Sequence, residues 1–212
     1  MDLSFPISSA IPGGHGAVLH VLARTSEPLS GRRIAELTQG RLGQRRVNDV
    51  LRELAFAGIA IREVRPPAHL YVLNRDHVAA PGIVLLAGMW DELLRRITAE
   101  LEGWEAPAYA AYVFGSAARR DGESASDVDL LLVRKGQPDG PEDAEWEAQV
   151  DRLTHLVERW SGNACEVLVL ELEALRSADR AGRRLILDLR RDAIPVVGPD
   201  FRRLLRETAV RS

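Results

Sequence analysis

The 212 residues leave room for one domain or two small ones, and a hydrophobic fraction of 46% is that of an ordinary globular protein. No apolar run reaches the length of a membrane span, the opening "MDLSFPISSAIPGGHG" lacks the order of a signal peptide, and the single Cys165 excludes an internal disulfide, so a cytoplasmic chain with no membrane partner is expected. The net charge of −3 gives no global sign of nucleic acid, but between Arg24 and Arg65 nine Arg face five acids, a local +4 that leaves −7 for the remainder.

In chain order, "AVLHVLART" places Val18, Val21 and Leu22 at helical spacing. Ser30 suits the cap of a second helix with Ile34 and Leu37 turned inward, and "TQGRLG" reads as a turn. Val47, Val50, Leu51 and Leu54 predict a third helix from about Gln44 to Phe56, ended by Gly58. "IAIREV" and "HLYVLN" read as two strands joined by "RPPA". This order over Gly13 to Asn74 resembles a winged helix domain of the kind found in bacterial transcription regulators. Gln44, Arg45, Arg46, Asn48 and Arg52 then form either a DNA-reading face or a solvated helix face, and Arg62 and Arg65 fall on the wing. We read them as a contact surface for double-stranded DNA.

After the linker "RDHVAAPG", one long amphipathic helix is expected from Ile83 to Gly103, with Leu86, Trp90, Leu93, Leu94, Ile97 and Leu101 as its stripe. It suits either a brace between two halves or a homodimer contact. From Tyr109 the pattern becomes β-α-β: "YAAYVF", a Gly-Ser turn, "DVDLLLV", a helix over "PEDAEWEAQVDRLTHLVERWSG", then "ACEVLVL". Two helical stretches, the strand "AIPVVGP" and the helix "FRRLLRET" close the chain.

The chemistry gathers in "VFGSAARRDGESASDVDLLLV". On one strand Asp127 and Asp129 would point to the same side, with Leu131 and Val133 beyond them and Val128, Leu130 and Leu132 on the other side. A strand apolar on both faces lies inside a domain, so its acids belong at the end, where the face opens. Paired carboxylates repel each other, and Mg²⁺ or Mn²⁺ removes the conflict. Gly115 allows close backbone approach, the Ser116 hydroxyl and neighbouring N–H groups suit phosphate oxygens, and Arg119 or Arg120 offers a charged fork. A phosphate cradle beside a metal-binding acid pair implies phosphoryl or nucleotidyl transfer.

The string "GSAARRDGESASDVDL" resembles the motif of the minimal nucleotidyltransferases of the DNA polymerase beta-like superfamily, Gly-Ser-x-Ala-Arg-Gly followed by Ser-Asp-x-Asp-Leu. Gly115, Ser116, Ala118, Arg119, Ser126, Asp127, Asp129 and Leu130 match, while Arg120 stands where the second Gly is usual. The resemblance covers about Tyr109 to Arg203. It implies a mixed sheet with helices packed on it, a nucleoside triphosphate at Gly115, Ser116, Arg119 and Ser126, and metals held by Asp127, Asp129 and a third acid matched by Glu166. The expected architecture is α/β (α+β): a winged helix domain over 1–76, a linker and bridging helix over 77–104, and a nucleotidyltransferase-like domain over 105–212. The expected activity is transfer of a nucleoside monophosphate to an acceptor. The alternatives are a transcription regulator that senses a nucleotide without catalysis, and an antitoxin-type protein acting on a partner protein.

Overall fold

A computed structural model describes residues 1–66, 68–119, 126–135 and 141–209. It has helices and two sheets, a mixed α/β architecture. The chain divides into two compact units, one of Asp2 and 4–90, the other of Met1, Leu3 and 91–212. Among the described residues no helix is long and apolar enough to cross a membrane.

In the first unit the helices are α1 (Ile7–Ala10), α2 (Gly14–Ala23), α3 (Gly31–Leu37), α4 (Gln44–Phe56) and α5 (Ala80–Ala87). The α3 helix starts where Ser30 predicts, because the Ser30 hydroxyl accepts the Arg33 N–H at 3.2 Å. Ile34 is buried, but Leu37, expected inside, is 37% exposed at the last helical position. On α4 the predicted stripe of Val47, Val50, Leu51 and Leu54 is buried, and each such side chain contributes roughly 1.5–3 kcal/mol. Strands β1 (Leu29–Ser30), β2 (Ala60–Arg65) and β3 (Ala68–Leu73) form an antiparallel sheet in the order β1-β3-β2. Pro67, part of the expected "RPPA" turn, lies outside the described residues.

The single helix expected from Ile83 to Gly103 is two: α5, and α6 (Met89–Glu102). Gly88 separates them and closes α5 through its N–H to the carbonyls of Val84 and Leu85. Glycine is about 1 kcal/mol poorer than alanine inside a helix, so a break there costs little.

In the second unit β4 (Ala110–Phe114), β5 (Val128–Arg134), β6 (Cys165–Glu171) and β7 (Ile194–Val197) form a sheet in the order β6-β5-β4-β7. The β5–β6 pair is parallel and the other pairs are antiparallel. The helices are α7 (Gly115–Arg119), α8 (Pro141–Ser161), α9 (Leu172–Arg180), α10 (Arg184–Asp192) and α11 (Phe201–Ala209). Leu131 and Val133 of β5 join Tyr112, Leu175, Leu189, Phe201 and Leu204 in one buried cluster, and Val128, Leu130 and Leu132 are buried on the opposite side. Tyr112 packs edge-on against Phe201 at 5.3 Å and donates its hydroxyl to the Pro199 carbonyl at 2.7 Å. This fixes the central strands that carry the acids.

Candidate active site

Strand register brings the nominated residues together. Asp129 on β5 pairs across the antiparallel ladder with Phe114, the last residue of β4, and across the parallel ladder with Glu166 on β6. The residue after Phe114 is Gly115, so three neighbouring strands deliver Gly115, Asp129 and Glu166 side by side. Gly115 has φ +69°, and a Cβ there would stand 2.2 Å from Asp129 Oδ2. Glycine is thus demanded twice, by the left-handed backbone and by the carboxylate lying against it. Ser116 follows on α7, half-buried. Asp127, expected on the strand, lies one residue before it, so strand alternation does not set its direction.

Burial raises the pKa of the half-buried Asp129 first of all, and the charges of Glu166 and then Asp127 add to the rise, while Arg119 draws it down. Among the described residues none of Asp127, Asp129 and Glu166 forms an ion pair. Arg119 instead pairs with Asp192 at the end of α10, Nη1 to Oδ2 at 3.1 Å. Arg191 and Arg119 together hold the Asp192 carboxyl below its ordinary pKa. The Cys165 thiol, beside Glu166 in sequence, is pushed up to about 12 by burial and by Glu158 and Asp129, so it stays protonated and inert. Among the described residues no group of three His, Cys, Asp or Glu side chains is arranged to hold a metal ion. The expected Asp127–Asp129–Glu166 set is a group of like charges, with Asp129 and Glu166 on neighbouring strands and Asp127 one residue before the first. Arg120 and residues 121–125 lie outside the described residues.

Sequence reasoning missed Asn163. It is buried, and its Nδ2 donates to the Ser126 carbonyl at 2.9 Å. With the Val128 N–H donating to the Ala164 carbonyl at 2.8 Å, it pins the segment that carries Asp127 to the strand that carries Glu166. After Gly162, Asn163 reads as an ordinary turn residue, and nothing local in the sequence signals a partner 37 positions away. Asp192 was missed in the same way.

In the first unit Gln44, Arg45, Arg46, Asn48 and Arg52 of α4, and Arg62 and Arg65 of β2, are all exposed. Several have partners within the chain. Arg46 approaches Glu53 at 3.9 Å, Arg52 pairs with Asp49, Arg65 with Glu63 at 2.8 Å, and Arg62 Nη2 lies 2.8 Å from His69 Nε2. Asn48 packs so close to α3 that a Cβ on Gly31 would fall 2.0 Å from its Oδ1. Arg45 has no ion pair among the described residues.

No family model matches the chain, and no curated protein sequence does. Among solved structures it is similar to a toxin–antitoxin structure with AMP-PNP, at 18% identity and a TM-score of 0.38, over 56% of this chain and 85% of that one. It is also similar to a mutant of the toxin–antitoxin pair MntA–HpeT, at 17% identity and a TM-score of 0.35, over 56% and 84%. These scores are too low to define the fold, so function is read from the residues of the site.

Proposed function

We propose that the second unit is a metal-dependent nucleotidyltransferase, which moves a nucleoside monophosphate from a nucleoside triphosphate to an acceptor hydroxyl. The observation that supports it is the register Phe114–Asp129–Glu166, with Gly115 held against the Asp129 carboxylate. The match of Gly115, Ser116, Arg119, Ser126, Asp127 and Asp129 to the minimal nucleotidyltransferase motif gives that arrangement its chemistry. The chemistry of the donors suits Mg²⁺ or Mn²⁺, three hard carboxylates with the charged form of one disfavoured by burial and by the other two, and their side chains would have to close in to share the cation. Asp127, Asp129 and Glu166 would hold the cation, which when bound supplies charge neutralisation and alignment for the phosphates. Ser116 and Arg119 orient the outer phosphates. The acceptor oxygen bonds to the α-phosphorus, the bond to the bridging oxygen breaks, and pyrophosphate leaves. Glu166, exposed to solvent, takes the acceptor's proton.

The first unit, in this reading, is a winged helix that holds double-stranded DNA, with α4 in the major groove and the β2–β3 hairpin on the backbone. The exposed arginines of both elements and the local +4 support it.

The test is incubation of the full chain with each labelled nucleoside triphosphate, Mg²⁺ and a lysate of the source organism. Transfer of label, abolished by EDTA, is expected, and the labelled species identifies the acceptor, a partner protein included. Metal-dependent binding with no transfer to any acceptor replaces this reading by the nucleotide-sensing regulator.

A further inference from the structure

The arginines of the second unit gather away from the acids. From Arg176 to Arg206 nine Arg face four acids, a local +5 in a chain whose net charge is −3. Here α9, α10 and α11 line an open cleft of about 470 Å³, formed by Asp179, Arg190, Arg202, Leu205 and Arg206. Three guanidiniums therefore meet one carboxylate. Arg190 is fixed by Asp179, Nη2 to Oδ1 at 2.7 Å, and Arg202 donates its Nε to the Arg190 carbonyl at 2.9 Å. Arg206 forms no ion pair among the described residues, and neither does Arg202. Two of the three cations are thus held in place by contacts that leave N–H groups over, so little side-chain entropy remains to be lost on binding. Leu205, 7% exposed, gives the cleft an apolar wall.

We propose that this cleft is a second anion site, which binds a compact cluster of phosphates such as a polyphosphate chain or the phosphates of a free nucleotide. Forked guanidiniums match phosphate oxygens in pairs, and a volume of about 470 Å³ is of nucleotide size. The cations surround one bounded cleft, whereas nucleic acid calls for a track of charges along a backbone. The site is distinct from the Gly115–Ser116 turn. Asp192 of α10 reaches Arg119 beside that turn, whereas Arg190 stands two residues earlier, turned about 200° around the helix. The proposal stands independently of the transferase reading.

The test is calorimetric titration of the full chain with inorganic tripolyphosphate at low salt in EDTA, which leaves the arginines as the source of affinity. Saturable one-to-one binding is expected. Arg202→Gln and Arg206→Gln should each weaken it by about tenfold or more. Arg184→Gln makes the same charge change on a side chain that is 95% exposed and outside the cleft, and should alter the affinity by less than about twofold. Circular dichroism of each variant confirms the fold. No saturable binding, or an equal loss in Arg184→Gln, overturns the site. A short single-stranded RNA that binds more than about tenfold tighter than tripolyphosphate through the same two arginines also overturns it, in favour of a nucleic-acid track.

Discussion

The first unit and the candidate site of the second treat charge in opposite ways. In the first, acids and arginines neutralise one another within a helical turn, Glu36 with Arg32 and Arg33 and Asp49 with Arg52, or along one strand, Glu63 with Arg65. In the second, Asp127, Asp129 and Glu166 are brought together with no ion pair among the described residues, although Arg119 stands near enough to influence Asp129. Charges paired on a surface cost a folded chain little. Gathering like charges beside a buried strand costs stability, and such a cost points to a ligand that repays it.

The largest effect should come from removing the repelling acids. If the second unit is the proposed transferase, Asp127→Asn with Asp129→Asn should lower nucleotidyl transfer by at least about a thousandfold, because the cation would lose its principal ligands. The same variant should melt a few degrees higher without nucleotide, since it removes a carboxylate whose charged form is disfavoured by burial and by Glu166. Single-turnover transfer and calorimetric melting measure the two. Full activity combined with an unchanged melting point would break the comparison at its centre.

Gly115→Ala comes next. The left-handed φ and the approach to Asp129 Oδ2 should together cost about 1–3 kcal/mol in urea unfolding. The two causes separate in an Asp129→Ala background, where the contact vanishes and the backbone cost stays. If the cost is identical in both backgrounds, Gly115 serves the turn alone and the carboxylate is not held against it.

Much of this arrangement is legible in the sequence. Helix α4 ends where expected because four apolar residues at helical spacing meet a glycine with positive φ at Gly58. The acids at the start of β5 stand out because the strand around them is apolar on both sides. What stays hidden depends on chain segments meeting from far apart. Strand β1 is two residues long and exists because Leu29 and Ser30 lie against Tyr71 and Leu70. The Asn163 bond to Ser126 needs β6 already seated parallel to β5. Glu166 lies outside the motif and stands out only as the acid on a later strand that the family resemblance calls for, and its place beside Asp129 is a matter of register that no local pattern encodes.

In the first unit, the arginines differ by whether a partner already occupies them. Arg45 has no ion pair among the described residues, whereas Arg65 is paired with Glu63. If α4 enters a major groove, Arg45→Ala should weaken duplex binding by about 1–3 kcal/mol and relax preference at one position. Arg65→Ala should weaken all sequences alike and lower the salt slope by about one unit. Selection from a random duplex library, followed by salt titration, reads both. No salt-dependent binding at low ionic strength removes the DNA role.

The smallest effect is the mirror of the largest. Hydrogen bonds from Arg33 and Arg32 lower the pKa of the exposed Glu36 from its ordinary 4.5. Its stabilising contribution is therefore present above pH 4.5 and is lost as pH falls through the lowered folded value. Asp129 runs the other way. Its pKa is raised from 3.8, so its penalty is present above the raised value and is relieved as pH falls through it. Glu36→Gln should thus melt slightly lower than the wild type at neutral pH, and Asp129→Asn should melt higher. Both differences should shrink in acid, from opposite signs. Because Glu36 and its partners are solvated, the first difference should be close to the resolution of the melting measurement and should vanish in molar salt. A salt-resistant loss at Glu36, or a lower melting point for Asp129→Asn at neutral pH, would mean that the paired surface of the first unit and the unpaired acids of the candidate site do not differ in this way.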